Sequence, residues 1–194
     1  MALSRQDLWS LEEYSEKRSA FRTKVIEHKK DRQISLTANA RLMFEDEMTI
    51  RYQIQEMLRI EKVFDAAGIK DELDAYNPLI PDGNNWKATF MLEYDDVEER
   101  RVKLAGLVGV EDLVWMQVEG FDKVFAIADE DLERENDVKT SSVHFVRFQL
   151  SDDMVAAAKS GKGIFIGCDH ENLNVAGQSV VDNVAQSLVA DLAA

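Results

Sequence analysis

Apolar residues recur at helical spacing over residues 7–30, through Leu11, Tyr14, Phe21 and Val25, with Arg18 and His28 on the same stripe. The pattern then changes to strict alternation. Residues 32–37 and 41–45 place Ile34 and Leu36, then Leu42 and Phe44, on one face, with Asn39 between them, which predicts a β-hairpin. A second helix is expected over residues 47–67, stopping at Gly68, a residue suited to the left-handed position after a helix. Residues 69–86 read as irregular, with a turn at Pro81-Asp82-Gly83-Asn84. Strands are predicted at 87–94, 113–119, 124–128 and 143–150, and residues 129–137 read as an acidic loop. Ser151-Asp152-Asp153 opens a short helix that ends at Ser160-Gly161. A buried strand follows at 163–168, and an amphipathic helix at 178–192 closes the chain. Runs of strands, rather than strict strand–helix alternation, predict an α+β fold. It would be a largely antiparallel sheet packed with an N-terminal pair of long helices and a C-terminal helix. The expected organisation is one domain over residues 1–194, helical and hairpin-like to about residue 68 and sheet-rich beyond it.

On a helical wheel of the second helix, Ile50, Ile54, Met57, Leu58, Ile60, Val63 and Phe64 form a wide apolar arc. Arg51, Gln55, Arg59 and Lys62 fall opposite. Gln53, Glu56 and Glu61 interrupt the arc. Carboxylates on an apolar face are costly unless paired or hydrogen-bonded, and burial raises their pKa toward the range of a general acid or base. Three readings stay open. Glu56 and Glu61 pair with an arginine from another element, such as Arg18, Arg22 or Arg147. They lie at the helix edge in water. Or they serve a ligand, a divalent metal or acid–base chemistry.

Composition narrows the function classes. The chain has 194 residues, 37 Asp and Glu, 23 Lys and Arg, and a formal charge of −14. Residues 1–34 hold eight basic and six acidic side chains, so the excess of acid lies beyond them, and no Lys or Arg follows Lys162. This distribution argues against a general nucleic-acid or anionic-membrane binder. One cysteine excludes an intramolecular disulfide framework and a multi-cysteine metal site. No run approaches a membrane span or a secretory leader, so the expected location is the cytoplasm.

His144 alternates with Val146, Phe148 and Leu150 and should face the core, with Arg147 on the other strand face. His170 follows Cys168-Asp169 at a strand end. His144, His170 and a second-helix glutamate are the raw material of a two-histidine, one-carboxylate metal site, though their spacing does not demand one. Cys168 reads as a small buried residue rather than a nucleophile. Gly161-Lys162-Gly163 lies in the wrong context for a phosphate loop, and Arg134 stands where an EF-hand needs glycine. No zinc-protease or serine-hydrolase signature occurs.

Several stretches together carry a family resemblance. They are Phe44-Glu45, the run Thr49-Ile50-Arg51-Tyr52-Gln53-Ile54-Gln55-Glu56-Met57-Leu58-Arg59-Ile60-Glu61, and Ala75-Tyr76-Asn77-Pro78-Leu79-Ile80-Pro81. Ala88-Thr89, His144-Phe145-Val146-Arg147-Phe148 and Asp169-His170 complete the set. The chain resembles the bacterial domain-of-unknown-function family 3501. It departs at Phe145, where the family carries Tyr, and after His170, where the family carries Pro then Tyr. Genes of that family often neighbour those of rubrerythrin-like and iron–sulfur proteins. The resemblance therefore implies an accessory protein that engages an iron–sulfur or di-iron redox partner, with no evident cofactor of its own. The alternatives are an enzyme using Glu56, Glu61 and His144, with Gln53, Arg147, Asp169 and His170 binding ligand, and a core whose polar cluster serves stability alone.

Overall fold

In the computed structural model, which describes residues 2–128 and 140–193, the chain enters its first helix through a capping box. Ser10 Oγ accepts from the Glu13 N–H, and Glu13 accepts from the Ser10 N–H. The helix α1, Leu11–Lys29, buries Tyr14 and Val25 as its stripe predicts. Strands β1, Gln33–Thr37, and β2, Ala40–Phe44, form the expected hairpin.

Helix α2, Glu47–Glu61, is capped by Asp46 and ends earlier than expected. Lys62 adopts the left-handed conformation, φ 56°, that stops it. Asp65 then caps a separate helix, α3, Ala66–Tyr76, whose first turn contains Gly68. Gly68 is therefore not the stop. A Cβ there would lie 2.5 Å from Val63 Cγ1, so the residue serves a tight corner. Apolar spacing runs on through Val63, Ile69 and Leu73, so periodicity alone conceals the break, and much of 69–86 is helical.

Strand β3 is Asn85–Leu92. Helix α4, Val97–Ala105, was not expected: its sequence is mostly charged, and only Leu104 is buried. Strand β4 is Val114–Val118. The segment expected as one strand at 124–128 divides into β5, Val124–Phe125, which pairs with β4, and β6, Ile127–Ala128. The acidic loop expected at 129–137 lies outside the described residues. Strand β7, Val143–Gln149, pairs with β3 and β6. Helix α5, Asp152–Lys159, and strand β8, Ile164–His170, follow. Strand β9, Leu173–Ser179, was also unexpected, because it is largely exposed and lacks alternation. It takes Gln178, so the last helix, α6, begins later, as Asp182–Ala190.

The fold is α+β, with two antiparallel sheets rather than one. Their orders are β1-β2-β3-β7-β6 and β5-β4-β8-β9. Their inner faces share one core, in which Phe44, Trp86, Phe90 and Phe148 meet Val114, Met116, Ile166 and Leu188. A smaller core joins Leu3 and Leu8 to Ile50, Ile54, Leu58, Ile69 and Leu73 of α2 and α3. Among the described residues no helix is long and apolar enough to cross a membrane.

Candidate functional site

The residues singled out by the sequence do not converge. Glu56 is mostly shielded, with 13 % of its side chain exposed, and is fully engaged. Arg18 donates from Nε to Oε1 at 2.7 Å and from Nη2 to Oε2 at 2.8 Å, while Tyr14 Oη and Arg59 Nη2 also donate to it. The Arg18 hydrogen bonds, with help from Tyr14 and Arg59, outweigh burial and pull its pKa down to about 2. A carboxylate held so acidic is a weak base. Of the three readings, pairing with Arg18 is what the fold contains.

Glu61 corrects the wheel. It is exposed, as is Ile60 (60 %), both in the last turn of α2, and so is Phe64 (79 %), which lies beyond the point where the chain leaves the helical phase at Lys62. Conversely Gln55, placed on the polar side, is buried, and its Oε1 accepts from the Trp9 N–H at 2.7 Å.

His144 faces the core, as alternation predicts. Its Nε2 meets Thr140 Oγ1 at 2.8 Å, and its Nδ1 lies 3.6 Å from Oε1 of buried Glu111. Arg147 is on the opposite face of β7 and donates to Gln149 Oε1. His170, in the second sheet, accepts the Asn172 N–H at Nδ1, so its Nε2–H donates to the Val108 carbonyl. Asp169 accepts from Lys123 and Trp115; the Lys123 hydrogen bond leads in lowering its pKa. Cys168 is buried, and burial raises its thiol pKa. Among the described residues no cluster of three His, Cys, Asp or Glu side chains has the arrangement to hold a metal ion.

Gln53 is different. It borders a cleft of about 380 Å³ over the outer face of the first sheet. The sheet supplies the floor in register: Arg41 opposes Met91, which opposes Val143, and Met43 opposes Thr89, which opposes Phe145. Ile50 and Thr49 of α2, with Tyr76 and Leu79 beyond it, make the wall, and Lys29 of α1 stands at the margin. Glu45 lies at one end, only 9 % exposed. Its Oε2 accepts from Thr49 Oγ1 and its Oε1 from Thr89 Oγ1, each at 2.6 Å. Each oxygen keeps a second lone pair. Among the described residues no ion pair reaches Glu45 or Lys29, and the Arg41 Nε–H is buried without a partner.

Such a volume and lining, apolar with a few convergent polar groups, suit a small molecule. Other, larger clefts, of about 480, 690 and 400 Å³, lie beside the C-terminal segment. Among the acids lining the first, Asp46 is committed to His28 and Asp191 to Arg32. Glu45, Thr49, Thr89 and Arg41 were missed as a group. The available signal was that outward-facing positions 41, 43 and 45 place two charges on a strand beside helices that should cover it.

The stretches that carry the family resemblance lie far apart in the chain. Eight of the thirteen residues lining the cleft come from them: Glu45, Thr49, Ile50, Gln53, Tyr76, Leu79, Thr89 and Phe145. A crystal structure of a novel protein of unknown function from Burkholderia pseudomallei K96243 is similar to this chain. It is 51 % identical, covers 100 % of both chains and superposes with a TM-score of 0.95. No curated protein matches. The model of one family, described as protein of unknown function (DUF3501), matches residues 2–192, and the chain belongs to that family.

Proposed function

We propose that the protein is a small-molecule-binding accessory protein whose ligand occupies the cleft between α2 and the first sheet. The observation that supports this most is the meeting of the distant family stretches on that one surface. Thr49 also serves the cap of α2 through Asp46, but Thr49, Thr89 and Glu45 lie together beneath an open space rather than sealing it. The setting proposed for this activity is an iron–sulfur or rubrerythrin-like redox system. It rests on the neighbourhoods of the family's genes.

The test is thermal stabilisation by a library of small metabolites, run in parallel on the wild type and on a Gln53→Trp variant, in which an indole fills the cleft. Compounds that stabilise only the wild type support the site. Compounds that stabilise both equally, or a folded Gln53→Trp protein that binds unchanged, overturn it. For the setting, affinity capture from native cells should recover an iron–sulfur or di-iron protein, and capture of none removes that part.

A further inference from the structure

We infer that the cleft's ligand is a short zwitterion, with an ammonium group held by Glu45 and a carboxylate held by Arg41. This rests on the binding reading above and adds the chemistry of the ligand. Glu45 is a buried carboxylate whose hydrogen bonds among the described residues come from neutral hydroxyls, one to each oxygen. Buried carboxylates are ordinarily paired with a cation, and none of the described residues supplies one. A primary ammonium has three donors and reaches the free lone pair on both oxygens at once.

At the other end of the cleft one buried donor lacks an acceptor, although the guanidinium that carries it is ion-paired with Glu93. Arg41 uses Nη1 on Gln33 and Nη2 on Glu93, which leaves its buried Nε–H unsatisfied. An unmet buried donor is costly, and an acceptor on a ligand removes that cost.

Arg41 and Glu45 lie on one face of the same chain segment, four residues apart, and Met43 lies between them. Four residues of strand span roughly 13 Å. With side-chain reach and a hydrogen bond at each end allowed for, the charged ends of the ligand lie on the order of 5–10 Å apart. Met43, Met91 and Phe145 line that interval, so the connecting part is apolar. A linear ω-amino acid or a dipeptide has this length and polarity.

The experiment is titration of the full chain, followed by NMR shifts of cleft residues, with three probes of matched length: ε-aminocaproate, hexylamine and caproate. The two-ended probe is expected to bind at least about tenfold tighter than either one-ended probe, because each end adds a charge-assisted hydrogen bond. Arg41→Gln should reduce ε-aminocaproate to the affinity of hexylamine, and Glu45→Gln to that of caproate. If Glu45→Gln fails to fold, the comparison of probes on the wild type still decides. A one-ended probe that shifts cleft residues and binds as tightly as ε-aminocaproate overturns the zwitterion while leaving the site intact. If no probe shifts the cleft residues, the zwitterion is overturned. Failure of the whole metabolite library to stabilise the wild type would separately overturn the site.

Discussion

Arg18 grips both oxygens of Glu56 across the α1–α2 interface, and this pair ties the two long helices together through their side chains. The pair sets a pH dependence. The folded pKa of Glu56, about 2, lies below its ordinary 4.5. Its contribution is therefore fully present above about pH 4.5 and is lost as pH falls toward 2. Glu56→Gln should lower stability by about 1–2 kcal/mol near neutrality, at the modest end for charge-assisted bonds because water reaches Arg18. The gap from wild type should narrow by about pH 3. Urea unfolding at both conditions checks this, and a gap that stays constant would refute it. Cleft binding should be unchanged, since Glu56 does not line the cleft.

Arg32 and Asp191 should respond unequally to substitution. Buried Arg32 donates to the carbonyls of Phe44 and Glu45 and also holds both oxygens of Asp191. Arg32→Met orphans all of these, for a loss of about 3–5 kcal/mol. Burial, opposed by Arg32, raises the pKa of Asp191, so its ionised form is disfavoured in the fold. Its contribution is greatest below its ordinary carboxyl range and declines as pH rises through the raised value. Asp191→Asn keeps an acceptor for Arg32 and removes that decline. It should cost clearly less than Arg32→Met in denaturant titrations at neutral pH, and equal losses would contradict this account.

Trp115 lies against two glycines of the second sheet. A Cβ on Gly167 would stand 2.4 Å from Trp115 Cζ2 and 2.6 Å from the Val175 carbonyl, and one on Gly177 2.7 Å from Trp115 Cη2. Gly167→Ala must shift backbone as well as ring, so a loss of about 1–3 kcal/mol is expected, and less for Gly177→Ala. A fall in Tm with an altered near-ultraviolet dichroism of tryptophan is the expected signature. An unchanged spectrum would show that the slot is looser than these contacts.

Lys62 pays a steric cost where α2 stops, at φ 56°. Lys62→Gly should relieve it, raising stability by about 0.5–1 kcal/mol. That corresponds to roughly 1–4 °C in Tm for a chain of this size. Lys62→Ala keeps the Cβ and should give no gain. A calorimetric comparison of the two variants separates the backbone effect from loss of charge.

Much of the fold was legible from local pattern. Alternation placed His144 inward and Arg147 outward, because successive strand residues face opposite sides whatever the sheet packs against. Helical spacing likewise put Tyr14, Arg18, Val25 and His28 on one stripe. The failures have a common cause. Val63, Ile69 and Leu73 continue a helical period across a break made by one left-handed residue, and charged α4 and exposed β9 carry no apolar signal at all.

The sequence by itself determined the α+β class, the antiparallel pairing and the family, since these follow from local periodicity and from motifs read in order. Which polar residues share a space was decided only by tertiary structure. Glu45, Thr49 and Thr89 meet through one helix cap and two paired strands. Glu56 and His144, as prominent in the sequence, end apart, one between the long helices and one in the core, each with its own partners. A side chain's period sets the face it occupies. Only the packing of one element on another sets what stands opposite, and so which polar groups share a space.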